Sequence, residues 1–269
     1  MLAAMAASHP GAVCAHPGID EMKRGVEAVL VQEPDNADAH LARVRTHEAA
    51  GEWHAALAAL DTAAVHGVDP IVIRVERGRI LFGAGRAKDA RRELDRAIAR
   101  RPDAWGAYVE RARVWHALGR PADAAADLER AVTHLAMPKP EHVLSWRDAL
   151  LSMGRREDAV AALDTGIARL GNIATLALAA VALETEVGRF DAARARLDGL
   201  MQVNPPNPAW VAQRGDLLAA VGRDDDARAA WTEAVAMIDA RPPARRGAAL
   251  RTLEDRLRAA LAPRVARQD

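Results

Sequence analysis

The sequence contains little cysteine, few aromatic residues and no excess of either charge. Its 269 residues include one cysteine, Cys14, which excludes an internal disulfide bond. Lys+Arg and Asp+Glu both number 37, and this balance argues against a protein that grips the phosphate backbone of a nucleic acid. There is no run of about 18 or more apolar residues, so we predict no membrane span. Aromatic residues make up only 3% of the chain, so the core must consist mainly of Ala, Leu and Val.

The sequence also lacks the motifs that mark common catalytic and cofactor sites. It has no Gly-x-Ser-x-Gly elbow, phosphate-binding loop or dinucleotide fingerprint, so we predict neither an enzyme nor a bound cofactor. His9, Cys14 and His16 could chelate a metal ion, but no second Cys or His pair stands at the spacing of a structural zinc site. His40 and His47 would lie roughly 10 Å apart along a helix, which is too far for one metal ion to bridge. We therefore predict no catalytic residue and no metal site.

A repeat is the main feature that the sequence does contain. Six glycines follow one another at intervals of 34 or 35 residues. An alanine stands five residues after each glycine, and a large apolar residue stands four residues after each alanine. A fixed period of this length is typical of a repeat array. The glycines are Gly51, Gly85, Gly119, Gly154, Gly188 and Gly222, and the alanines are Ala56, Ala90, Ala124, Ala159, Ala193 and Ala227.

Each period predicts two helices joined at the glycine. In the second period the apolar stretch Val75–Phe82 runs into Gly85. Glycine adopts the left-handed conformation that ends a helix without steric cost. A second helix follows, with Ala90, Leu94 and Ala97 on one face at helical spacing. The alanines let two helices approach closely, and the leucine fills the space between them.

The order of Gly, Ala, large apolar and small residue, often closed by a proline, resembles the tetratricopeptide repeat (TPR) family in its bacterial form. The match covers residues 36–239. The resemblance implies an all-α, right-handed α-solenoid of about six helix–turn–helix units, forming a single domain over residues 18–262. A half-unit at 18–34 would precede the units, and a capping helix at 243–262 would follow them, with a flexible tail at 263–269. The one longer interval contains His134–Glu141, whose two prolines predict a bend in the stack.

The resemblance also implies a binding surface, because the first helices of TPR units line a concave groove in which ligands lie. Six residues before the glycine, the first three units carry arginine, whereas the later units carry Asp, Ala and Asp. The N-terminal half of the groove is therefore the more basic. Glutamates three residues before two of these arginines cancel part of the charge. The candidate groove residues are Arg45, Arg79, Arg113, Glu76, Glu110, Asp148 and Asp216.

Two further charged rows repeat with the period. Arginine stands eight residues before four of the glycines, and Asp or Glu stands ten residues after five of them. A charge that repeats with the fold is typical of structural salt bridges, each worth about 0.2–1 kcal/mol when exposed. The arginines are Arg43, Arg77, Arg111 and Arg214, and the acidic residues are Asp61, Asp95, Glu129, Asp164 and Asp198.

The two ends of the chain leave alternatives open. Residues 1–17 are either a disordered tail or the remnant of an export signal, and the protein is accordingly cytoplasmic or periplasmic. Beyond the last unit, Leu250, Leu253, Leu257 and Leu261 fall at helical spacing, with arginines on the opposite side. We interpret this helix as the cap that a solenoid needs over its last unit. The alternative is a helix that lies on a membrane surface.

These features favour a non-enzymatic scaffold that binds a protein or peptide in the concave groove. The alternatives are an assembly or accessory subunit that docks through its terminal helices, and a metal-binding accessory protein. Some TPR proteins hold the acidic C-termini of heat-shock chaperones with a clamp of lysines and asparagines. We expect no chaperone binding here, because every asparagine falls in a predicted turn. These are Asn36, Asn172, Asn204 and Asn207.

Overall fold

The structure is a computed structural model that describes residues 17–205 and 207–262. Within these ranges the chain forms fourteen α-helices and one short 3-10 helix, Pro243–Arg245, and no β-strand, so the predicted all-α class is confirmed. The sequence predictions for residues 1–16 and 263–269 lie outside the described residues. The helices are α1 Pro17–Gln32, α2 Ala37–Ala49, α3 Trp53–Val65, α4 Pro70–Gly83, α5 Ala87–Arg100, α6 Trp105–Ala117, α7 Pro121–His134, α8 Pro140–Ser152, α9 Arg156–Leu170, α10 Ala174–Glu186, α11 Phe190–Val203, α12 Pro208–Ala220, α13 Asp224–Asp239 and α14 Ala248–Leu261.

The helices group into two compact units, and the division falls between Leu135 and Ala136, within the proline-containing junction. The first unit contains α1 and the pairs α2/α3, α4/α5 and α6/α7, while the second contains α8/α9, α10/α11, α12/α13 and α14. The helices of a pair pack on each other, and each second helix also packs on the first helix of the next pair in its unit. Each unit is therefore a stack of α-solenoid helix pairs. None of the described helices is long and apolar enough to cross a membrane.

A glycine closes the first helix of each pair. The six repeat glycines have φ between 68° and 78°, in the left-handed region. The residue after each glycine donates its backbone N–H to the carbonyl five residues earlier, as Glu52 does to His47 at 2.9 Å. This is the Schellman ending of a helix. A Cβ added at any of these glycines would meet no atom within 4 Å, so the backbone conformation alone requires glycine.

Small side chains let the helices of a pair approach closely. The six repeat alanines are all buried, with 0–1% of their surface exposed. Gly78 of α4 lies against Leu94 and Ala90 of α5, and a Cβ added to Gly78 would stand 2.7 Å from Leu94 Cγ. Gly166 of α9 meets Val143 of α8 in the same manner. These contacts leave no room for a larger residue without displacement of the opposing helix.

Ion pairs at a fixed register join successive helix pairs of the first unit. Each connects a second helix with the first helix that follows it, across a separation of 16 residues. We call these three ion pairs the ionic rungs, and they confirm the salt bridges predicted for Arg43, Asp61, Arg77, Asp95 and Arg111. The prediction for Glu129 is wrong, because this exposed residue forms no ion pair with the described residues. The rungs are Glu27–Arg43 at 2.7 Å, Asp61–Arg77 at 2.8 Å and Asp95–Arg111 at 2.8 Å.

Arg111 makes the most extensive of these contacts. Its Nε and Nη2 donate to the two carboxylate oxygens of Asp127 on α7, each at 2.8 Å, while Nη1 donates to Asp95 on α5. The side chain of Asp127 is only 3% exposed. The guanidinium of Arg111 thus ties three consecutive helices together through a buried ion pair.

The second unit uses other pairings. Arg196 donates to Glu184 and to Asp164, each at 2.7 Å, and Glu184 is buried. Arg214 pairs with Glu233, and Asp198 pairs with Arg194, so both predicted rows form salt bridges but not with each other. The leucine face of α14 packs inside this unit, against residues of α12 and α13. Its contacts involve Leu253, Leu257 and Leu261 with Val211, Ala212, Ala234 and Val235.

Candidate binding face on the first helices of the first unit

The three candidate groove arginines lie on consecutive first helices of the first unit. Arg45 is on α2, Arg79 is on α4 and Arg113 is on α6. The helices α4 and α6 also contact each other directly. We define the first-helix face as these arginines together with the residues that surround them, which are Glu48, Glu76, Phe82 and Glu110.

Arg79, the middle arginine, is enclosed by carboxylates. Its Nη2 lies 2.7 Å from Glu48 Oε2 of the preceding first helix and also forms an ion pair with Glu76, one turn earlier on α4. Arg79 Nη2 and Glu76 Oε2 are both buried. They form an ion pair whose geometry is not that of a hydrogen bond. The guanidinium of Arg79 is therefore already neutralised within the protein.

Arg113 is more accessible than Arg79. Its Nη1 lies 2.8 Å from Glu110 Oε2, and its side chain is 54% exposed. The guanidinium carbon stands 5.6 Å from the centre of the Phe82 ring, which is a cation–π distance. This contact crosses from α6 to α4 and leaves the outer edge of the guanidinium open to solvent.

The contacts of Arg79 and Arg113 involve the same two positions of the repeat. Arg79 and Arg113 each reach the residue that stands three positions before the glycine on the preceding first helix, Glu48 and Phe82 respectively. Arg45 occupies the equivalent position, but the part of the chain that the structure describes contains no first helix before α1. Arg45 is exposed and forms no ion pair with the described residues.

Burial raises the pKa of the Glu48 carboxyl above its ordinary value. The positive charges of Arg79 and Arg113 oppose this shift, whereas the negative charges of Glu76 and Glu110 reinforce it. The carboxylates of three first helices therefore lie close enough to repel one another. The first-helix face is thus an alternation of coupled charges, not a uniformly basic strip.

The two acidic candidates of the second unit have different surroundings. Asp148 is exposed on α8 and pairs with its neighbour Arg147 at 2.6 Å. Asp216 accepts hydrogen bonds from the indole of Trp231 at 2.9 Å and from Arg256 of α14 at 3.0 Å. Asp216 therefore holds α13 and α14 to α12, a role that sequence reasoning missed. The only signal was Trp231, which replaces the leucine found at that position in the other five units.

The predicted histidine candidates His40 and His47 make packing and hydrogen-bond contacts. The ring of His40 stacks on that of His66 with centres 4.1 Å apart, and His47 Nδ1 lies 2.6 Å from Glu52 Oε2. Across residues 17–205 and 207–262, no three His, Cys, Asp or Glu side chains are grouped so that they could hold a metal ion. The three predicted candidates for metal chelation, His9, Cys14 and His16, lie outside this part of the chain.

Several solved structures resemble this fold. The C-terminal part of a TPR repeat-containing protein from Cytophaga hutchinsonii has a TM-score of 0.58 at 14% identity, with 81% of this chain and 90% of that chain covered. PilF from Pseudomonas aeruginosa has a TM-score of 0.52 at 14% identity, covering 90% of this chain and 99% of that one. YrrB, described as a TPR protein with an unusual peptide-binding site, has a TM-score of 0.52 at 14% identity, covering 74% and 97%.

At the level of sequence, no curated protein matches this chain. Residues 75–140 match the family model described as tetratricopeptide repeat. That segment begins within α4 and includes the glycine turns at Gly85 and Gly119. Because the same turn, the same buried alanine and the same helix pair recur through both units, the other helix pairs have the form of the tetratricopeptide repeats matched at residues 75–140.

Proposed function

We propose that the protein is a non-enzymatic scaffold whose first-helix face binds a segment of another protein. The observation that carries this proposal is the recurrence of arginine at one position of three successive first helices, with each later arginine reaching back to the helix before it. Such contacts make one continuous charged surface from three separate helices. The peptide-binding site described for YrrB, which shares the fold, gives a precedent.

The pairing pattern narrows the ligand that this face would accept. Arg79 is enclosed by two carboxylates, so Arg45 and Arg113 remain as the cations that a ligand can reach. Packed helix axes lie about 8–10 Å apart, which places these two arginines roughly 16–20 Å apart. An extended segment covers that distance in about five or six residues. We infer a ligand with two carboxylates at that spacing, since the planar guanidinium can hold a carboxylate through two hydrogen bonds.

The glutamates of the face set the strength of binding. They lower the positive potential around both accessible arginines, so the interaction is modest and weakens as salt is added. Glu48, whose pKa is already raised, loses further hydration when a ligand covers it. A ligand with a positive residue between its two carboxylates relieves that penalty.

Selection of displayed random peptides on the whole protein tests the proposal. The expected outcome is enrichment of peptides with two acidic residues at this spacing, and loss of their binding when Arg45→Ser and Arg113→Ser are combined. The matched control is Arg92→Ser, which removes an exposed arginine of α5 outside the face. Undiminished binding to the double variant, or an equal loss with the control, would contradict the proposal.

A further inference from the structure

We propose that the open end of the first unit, between α1 and α2, is a docking slot for an amphipathic helix of a partner protein. The partner helix takes the place of a first helix for α1, which the described residues do not include. This inference goes beyond the binding of an extended segment on the first-helix face, because the ligand is a helix and the surface, although it shares Arg45, is formed by α1 and α2.

The ionic rungs identify α1 as a second helix whose first helix is not among residues 17–205 and 207–262. Glu27 of α1 pairs with Arg43 across 16 residues, the same separation as between Asp61 of α3 and Arg77. Glu27 is thus equivalent to Asp61, and the rest of α1 aligns with α3 accordingly. In this alignment Met22, Val26 and Val29 correspond to Ala56, Leu60 and Ala63.

The equivalent residues differ sharply in burial. Ala56, Leu60 and Ala63 are all 0% exposed, because α2 covers them. On α1, by contrast, Met22 is 50% exposed and Val29 is 43% exposed. The side chains that form a helix–helix contact in the complete pairs are therefore apolar but uncovered in α1.

A groove of about 320 Å³ lies along this uncovered face. We call it the end slot. Its α1 side is formed by Gly25, Val26 and Val29, and its α2 side by Asn36, Asp38, Ala39 and Ala42. In the next pairs, α4 occupies the corresponding place, since it packs on α5 and also contacts α6. The end slot thus has the two walls that a first helix contacts elsewhere in the unit.

The charge at the slot specifies one feature of its occupant. Arg79 and Arg113 each lie on a residue of the preceding first helix, and Arg79 does so through an ion pair with Glu48. Arg45 stands at the equivalent position beside the end slot and has no ion-pair partner among the described residues. A docked helix with a glutamate at the position of Glu48 would supply the missing partner.

The chain itself shows what such a helix looks like. In α2, Leu41 and Val44 pack on the cluster that contains Ala56, Leu60 and Ala63, and Glu48 follows one turn later. The occupant therefore has an aliphatic residue, a small aliphatic residue three positions later and a glutamate four positions after that. Residues 1–16 do not have this pattern, because Pro10 falls at the register of Val44 and a proline inside a helix costs about 3 kcal/mol.

A peptide with the sequence of residues 36–51 is the probe. A side-chain lactam between its positions 45 and 49, which are both exposed in α2, keeps it helical despite its short length. We expect saturable binding to the whole protein, measured by fluorescence anisotropy. Replacement of Val29 by aspartate places a charge on the apolar wall and should weaken binding on the order of tenfold or more.

Val31→Asp is the matched control, since Val31 is on the same helix, is 80% exposed and does not line the slot. It should leave binding unchanged. Arg45→Ser and a Glu48→Gln peptide should each weaken binding, and the two changes together should cost no more than either alone. Arg113→Ser should not affect this probe, and Val29→Asp should not affect acidic peptides on the first-helix face, so either proposal can fail alone.

The absence of binding, equal binding to the Val29 variant, or an equal loss with Val31→Asp would each overturn the proposal. A second copy of the chain is the other candidate occupant. Sedimentation of the whole protein that shows a dimer, dissociated by Val29→Asp, would likewise overturn the assignment to a partner helix. Circular dichroism of both valine variants is expected to match the parent, because both side chains are on the surface.

Discussion

Replacing Gly78 with alanine is expected to destabilise the first unit, although glycine to alanine in a helix interior normally stabilises. The substitution gains about 0.8–1 kcal/mol in helix propensity. Its new methyl group, however, would stand 2.7 Å from Cγ and 3.0 Å from Cδ2 of Leu94. Leu94 is 0% exposed, so it cannot turn out to solvent without disturbing its neighbours, and the backbone carbonyl of Ala90 lies 3.3 Å from the added carbon. Overpacking of this kind costs about 1–3 kcal/mol, so the net loss is about 0–2 kcal/mol.

The matched control is Gly199→Ala, in the interior of α11. A Cβ added there meets no atom within 4 Å, so only the propensity gain of about 0.8–1 kcal/mol remains. Urea unfolding followed by circular dichroism compares the two variants with the parent. The midpoint should fall for Gly78→Ala and rise for Gly199→Ala. A rise for both would refute the claim that the contact between α4 and α5 is tightly packed at Gly78.

Two further predictions concern charged residues. Asp127→Ala should cost about 3 kcal/mol, because it leaves the partly buried Arg111 without its main partner. Asp61→Ala breaks an exposed rung and should cost under about 1 kcal/mol. Equal unfolding midpoints of the two variants in urea would contradict this prediction. The N–H of Ile71 and the guanidinium of Arg101 lower the pKa of Asp69. Its contribution is therefore present above about pH 4 and lost as the pH falls through the lowered pKa, so Asp69→Ala should reduce the melting temperature more at pH 7 than at pH 2. An equal reduction at both pH values would show that the charge is not responsible.

The repeat was readable from the sequence because it depends on local chemistry. Gly85 predicts the end of α4 since few other residues adopt its backbone conformation, and Ala90 and Leu94 predict the buried side of α5 by their spacing. Those features involve neighbours within one turn or one helix pair. The period therefore predicted both the helix class and the position of most helices.

The sequence did not predict which surface charges pair with each other. Arg79 and Arg113 look identical in the sequence, yet Arg79 is enclosed by two glutamates and Arg113 is open. The difference arises because Glu48 and Phe82 occupy the same position on consecutive first helices, so the residue across the helix contact decides the outcome. The period likewise predicts Asp216 as a groove residue, whereas the structure pairs it with Arg256, which lies on a helix outside the period.

The fixed register of the ionic rungs has a consequence for how this chain can change in length. Each rung joins positions that recur in every repeat of the first unit, so duplication or deletion of one whole repeat there restores an equivalent rung at the new boundary. The second unit has no such freedom, because Arg196 with Glu184 and Trp231 with Asp216 each occur once. Gain and loss of repeats over evolutionary time is therefore expected in the first unit, with the second inherited as a block.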